Sequence, residues 1–191
     1  MRAGALPVYA VLYLVFLYAP IALLPLFAFN DSVVIAFPLS GQTTRWFAEM
    51  WGDAQMFNAL RNSVIVALSA AAISTILGLF AARASTRFAF RGKGAIIGLV
   101  MLPLVLPEMI LAMSLLVAFL AISLPLSILT VILGHVLVTT PFAVAILSSA
   151  FQSLDQSLEE AAYDLGETPV STFRLIILPL VMPGIVSSFL I

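Results

Sequence analysis

No cysteine occurs among the 191 residues, and histidine occurs once, at His135. The first absence removes disulfides, thiol nucleophiles and thiolate metal sites. The second leaves a histidine-based metal or catalytic cluster without members. Charge is equally scarce: Asp, Glu, Lys and Arg make up 9% of the chain, against about a quarter in ordinary soluble domains. The net charge of −1 offers nothing to nucleic acid. Neither a Walker-type loop nor any other Gly-rich phosphate loop is present, so the chain carries no nucleotide-hydrolysing machinery of its own. Against these absences stand 63% hydrophobic residues and a mean hydropathy of +1.19. Composition therefore excludes a soluble globular fold and points to an all-α, polytopic membrane bundle. With about 20 residues per crossing, the length holds five spans at most.

The apolar stretches fall at 6–29, 58–82, 95–122, 128–150 and 176–191. Arg2 precedes the first, and a cleaved signal peptide is the competing reading. The run is too long for a signal core and ends without a small-x-small site, so it reads as an uncleaved span. Pro20 and Pro25 are expected to kink its outer half. The longest polar interval follows, from Asn30 to Phe57. There Thr43 or Thr44 ahead of RWFAEMW predicts a short helix lying on the membrane, with Trp46, Phe47 and Trp51 as interfacial anchors. Small residues in the second span (Ser69, Ala70, Ala71, Ala72, Ser74, Gly78) predict close helix packing.

Arg83, Arg87, Arg91 and Lys93 come next. A lipid-headgroup site is one reading of that cluster; the plainer one is the positive-inside rule. Arg2, these four and Arg174 fall on one side, Arg45 and Arg61 on the other. The amino terminus is therefore expected to be cytoplasmic, together with the loop at 151–175.

The third span is broken by Pro103 and Pro107, and Glu108 follows at once. Read as a straight helix from Ala95, Glu108 lies roughly 20 Å in, near the bilayer midplane. A carboxylate there is a functional-site candidate; the alternative is a Glu satisfied by a neighbouring helix. In the fourth span, Thr139-Thr140-Pro141 predicts a kink with hydroxyls to mend it. His135 is read as hydrogen-bonding across a helix interface. The last run stops about 16 residues in, short of a full crossing, and the natural chain is expected to continue.

The most informative stretch is polar and lies between two spans: DQSLEEAAYDLGETPVSTFRLIILP, from Asp155 to Pro179. Asp155 or Ser157 can cap a helix whose first turn holds Glu159 and Glu160, where the dipole favours acids. Leu154, Leu158, Ala161, Ala162 and Leu165 form one stripe. Gly166 ends the helix, and Thr168-Pro169 reads as the cap and first position of a second short one. The expectation is a stiff helix–Gly–helix elbow.

Glu160-Ala161-Ala162, Gly166, Ile176, Leu178 and Pro179 stand at the spacing EAA-x3-G-x9-I-x-LP. That pattern resembles the loop of the permease subunits of ATP-binding-cassette importers. Phe29-Asn30-Asp31-Ser32 and the run from Gly41 to Phe47 are similar to the spermidine/putrescine class. The resemblance implies a type I importer topology in one transmembrane domain over 1–191, in a bacterial inner membrane. It implies a coupling loop at Glu159, Glu160, Ala161, Ala162, Asp164, Gly166, Ile176, Leu178 and Pro179, and a pathway site at Pro107 and Glu108. Implied partners are an ATPase dimer holding ATP and Mg, a second permease, a periplasmic binding protein and membrane lipid. No catalytic site, metal or cofactor is implied on this chain. An importer of another solute (organic amine, phosphonate or metal chelate) and an ion-coupled carrier are the alternative readings.

Overall fold

The structure, a computed structural model, describes residues 4–191; Arg2 lies outside them. Its helices are α1 (Ala5–Ala28), α2 (Arg45–Gly52), α3 (Ala54–Arg87), α4 (Lys93–Met101), α5 (Glu108–Ala121), α6 (Ile128–Gln152), α7 (Ser157–Asp164), α8 (Pro169–Thr172) and α9 (Leu178–Leu190). Four of the described helices are long and apolar enough to cross a membrane, and a bent pair makes a fifth candidate. The chain divides into two compact units, Met1–Leu60 and Arg61–Ile191.

In the first unit α1 keeps its helix through Pro20 and Pro25 and buries none of its apolar window. The polar interval after it is tightly knit. Asn30 is 1% exposed; its Oδ1 accepts from Ser40 N at 2.9 Å, while its backbone oxygen accepts from Trp46 Nε1 at 2.7 Å. Asp31 N donates to Gly41 O at 3.1 Å, and Thr43 N to Phe29 O at 2.8 Å. The two motif segments, FNDS and GQTTRWF, thus close on each other. The short helix expected after Thr44 is α2.

The second unit is built on α3, α6 and α9. Gly78 of α3 lies against Ala143, where a Cβ on the glycine would sit 2.6 Å from the Ala143 Cβ. Gly184 of α9 lies the same way against Ala150, at 2.7 Å. These close passages let backbones approach where lipid gives helices no hydrophobic drive to associate. Ala82, Leu147, Phe151, Ile177 and Val181 form the buried core. Hydroxyl pairs tie the same helices: Ser74 Oγ with Thr139 Oγ1 at 2.5 Å, and Thr75 Oγ1 with Ser188 Oγ at 3.3 Å.

Several expectations are corrected here. The second span extends from Ala54 to Arg87, so two of the loop arginines belong to its last turns. Residues 95–122 are not a straight crossing: Lys93–Leu104 and Glu108–Ala121 meet at 105°. Pro103 sits in a 3-10 turn at Leu102–Leu104, and Pro107 disfavours helical backbone at Leu106 and then caps α5, with ψ 129°. The depth assigned to Glu108 by counting along a straight helix does not hold. Nor does the last span begin at Ile176: one helical run extends from Pro169 to Leu190.

Candidate functional site

The elbow assembles from local chemistry. Asp155 Oδ1 accepts from Ser157 N at 2.9 Å and so satisfies a free N–H at the first residue of α7. The Ser157 backbone N–H, and after it the Ser157 hydroxyl, hold the Asp155 carboxyl below its ordinary value. At the other end Gly166 has φ +87°, Gly166 N donates to Tyr163 O at 2.9 Å and Glu167 N to Ala162 O at 3.0 Å. That bond pair is a Schellman closure, and its left-handed residue favours glycine. Thr168 Oγ1 then accepts from Ser171 N at 3.2 Å, with Pro169 at the first helical position. Glu167 adds a carboxylate acceptor for the Ser171 hydroxyl.

The expected second helix is therefore only the opening turn of the last span. Between α8 and α9 lies a five-residue π turn, Phe173–Ile177. Pro179 follows it, lacking the N–H that an α-turn would aim at Leu175. A wider turn next to such a gap is where helices commonly carry function.

The motif residues divide between two faces of the elbow. Glu159 and Ala162 turn inward, Ala162 being 3% exposed. Glu160, Ala161 and Asp164 are exposed. The predicted apolar stripe divides too: Leu154 packs against the core, while Leu158, Leu165 and the neighbouring Val170 stand 44%, 86% and 77% exposed. The outward surface is thus acidic and apolar together. Ile176 and Leu178 are half-buried and Pro179 is exposed.

Sequence reasoning missed what Glu159 touches. Its carboxylate lies 3.4 Å from Arg83 Nη2 and 2.9 Å from Arg87 Nε. The closer approach is a charge contact without hydrogen-bond alignment. From the sequence, Arg83 and Arg87 read only as topology or headgroup signals. Their four-residue spacing, which puts both on one face of a helix, is the clue that could have found the pair.

Pro107 and Glu108 stand apart from the elbow. Glu108, the first residue of α5, lines a cavity of about 460 Å³ with Leu111, Leu115, Phe119, His135 and Thr139. The helix start at Glu108 is the end whose dipole favours an anion. His135 does not bond across an interface: its Nδ1 pairs with Val131 O of the same helix at 2.8 Å. Thr139 and Thr140 donate to His135 O and Val136 O, at 2.8 and 2.6 Å.

A multi-pass membrane helical protein with a capped, acidic elbow between two apolar runs is the class that fold and site define. Comparison with known proteins sharpens it: residues 74–191 match the family described as binding-protein-dependent transport system inner membrane component. The chain belongs to that family. It is 38% identical over 183 residues to the putrescine transport system permease protein PotI of Escherichia coli strain K12, covering 92% of this chain and 65% of that one. To the spermidine/putrescine permease protein PotC of Haemophilus influenzae it is 33% identical, covering 92% and 68%. A molybdate/tungstate permease protein, WtpB of Pyrococcus abyssi, is 28% identical over 175 residues, covering 92% and 70%. The chain therefore spans about 65% of the length of the first of these relatives.

Proposed function

We propose that this chain is the transmembrane subunit of an ATP-driven importer of polyamines, with the elbow as its docking piece for a separate ATPase. The observation carrying this is the division of the motif: Glu160, Ala161 and Asp164 face outward beside exposed Leu158 and Leu165, while Glu159 and Ala162 fasten the helix inward. A small-residue face edged with acids suits a groove with a basic or amide rim. ATP and Mg belong to that partner. A homologous permease completes the pore, a binding protein delivers the solute, and the amino terminus lies on the cytoplasmic side of a bacterial inner membrane. Residues 1–191 form one permease domain in function, with the coupling loop at 151–175.

The names of the relatives divide between a cationic and an oxyanionic cargo. Glu108 favours the cation, because it is the one acidic group lining the cavity, and a carboxylate there repels an oxyanion and attracts an ammonium. Pro107 and Glu108 are assigned to the pathway by this argument.

The test is uptake of labelled putrescine by vesicles holding the full transporter. ATP-dependent uptake that survives collapse of ion gradients is expected, and Glu160→Lys should release the ATPase while leaving membrane insertion intact. Uptake driven by an ion gradient without ATP would overturn the reading.

A further inference from the structure

Arg83 and Arg87 lie one turn apart at the end of α3, and the two oxygens of the Glu159 carboxylate divide between them, Oε2 at 3.4 Å and Oε1 at 2.9 Å. Arg87 Nη2 also donates to Leu154 O, just beyond α6, at 3.2 Å. The Arg83 guanidinium stands over the Phe173 ring, 4.8 Å from its centroid, at the start of the π turn. One cluster thus touches α3, the end of α6, α7 and the root of the last span. None of its charged side chains is more than 14% exposed. Leu154 and Phe173, which the two arginines touch, pack in turn against the buried core of Ala82, Leu147, Phe151 and Ile177.

Solvent-exposed ion pairs form and break at little cost, but a buried one whose acid is removed leaves its cations uncompensated. Here two guanidiniums share one carboxylate, so Glu159 is the group neither arginine can lose. α7 has eight residues and ends at a glycine turn, and apart from Ala162 and Glu159 its residues are exposed. Beyond that alanine and its two backbone ends, the cluster is its attachment to the bundle.

We propose that Arg83 and Arg87 are positioning residues that clamp the docking helix to α3 through Glu159. A push on the outward face of α7 then reaches α3 and α9 together, instead of passing to α9 alone through the chain. This rests on the reading of the elbow as a docking piece. It assigns Glu159 a different duty from Glu160: Glu160 meets the partner, and Glu159 fixes the angle at which it is met.

The experiment uses the full-length permease, with its ATPase partner, in nanodiscs. Variants are Glu159→Gln, the pair Arg83→Gln with Arg87→Gln, all three together, the conservative Arg87→Lys, and Glu160→Gln as the contrast. Amide exchange over 157–164 should rise about ten-fold in the first three and stay near wild type in Arg87→Lys, whereas Glu160→Gln should show itself first as weaker ATPase retention. The triple variant should add little to the double, because the groups act through one another. ATPase co-purification should persist in the clamp variants, with several-fold more ATP consumed per solute moved.

Unchanged exchange, additive effects in the triple variant, or unchanged ATP per solute would each overturn the clamp. Failure of the docking reading looks different: wild-type permease would not retain the ATPase, while the exchange pattern stayed as described.

Discussion

Gly78 and Ala143 approach so closely that a Cβ on the glycine would lie 2.6 Å from the alanine Cβ and 3.0 Å from its backbone carbonyl carbon. The contact sits where α3 crosses α6, away from any flexible side chain that could yield. Gly78→Ala should therefore destabilise the bundle by about 1–3 kcal/mol through overpacking. Gly98 in α4 has nothing within 4 Å, and Gly98→Ala should be neutral to slightly stabilising. Thermal unfolding of the purified permease in one detergent compares the two. Equal melting points would mean that the helices separate at no cost.

Gly166 has open space around it but a φ of +87°. Gly166→Ala should cost about 1 kcal/mol in backbone strain, and Gly166→Asn less, since Asn tolerates the left-handed region. Exchange of the Gly166 and Glu167 amides, which hold the Schellman closure, is the direct readout. Slower exchange in the alanine variant would contradict the account.

Glu108→Gln removes the charge at the cavity while keeping its shape. Uptake of a cationic solute should fall about ten-fold, the size of one lost charge-assisted contact, with assembly unchanged. A cation whose uptake ignores the substitution would return Glu108 to a packing role.

Asp155 should titrate below its ordinary value of 3.8, because the Ser157 N–H and hydroxyl bond its charged form. The sign follows: a lowered folded pKa contributes stability above the unfolded pKa and loses it as pH falls through the folded one. Neutral-pH measurements should see the cap intact, and the start of α7 should fray only in acid below that value. Titration of the Asp155 carboxyl by NMR checks it. A midpoint above 3.8 would remove the cap from the account.

Legibility from sequence tracks the range of the forces. The caps at Asp155 and Thr168, the turn at Gly166 and the short helix after Thr44 are readable because each is decided within a few residues. Pro103 and Pro107 announce a break, but two prolines do not state an angle, and the 105° bend undoes a depth reckoned along a straight axis. The role of Glu159 is hidden because its partners lie 76 and 72 positions away on another helix. His135 misleads for the opposite reason: its bond is local, to a carbonyl one turn back, where the sequence suggests a longer reach.

The π turn at 173–177 has a consequence for register. Thr172, Ile177 and Val181 are all buried, at steps of five and then four, whereas a regular α-helix swings about 100° per residue and a five-step would carry Ile177 well round from Thr172. The surplus residue absorbs that rotation. Losing one residue between Phe173 and Ile176 would tighten the wide turn into an ordinary one and leave both buried positions aligned. A deletion that would scramble any other part of this span is, at this place alone, one the helix can take up.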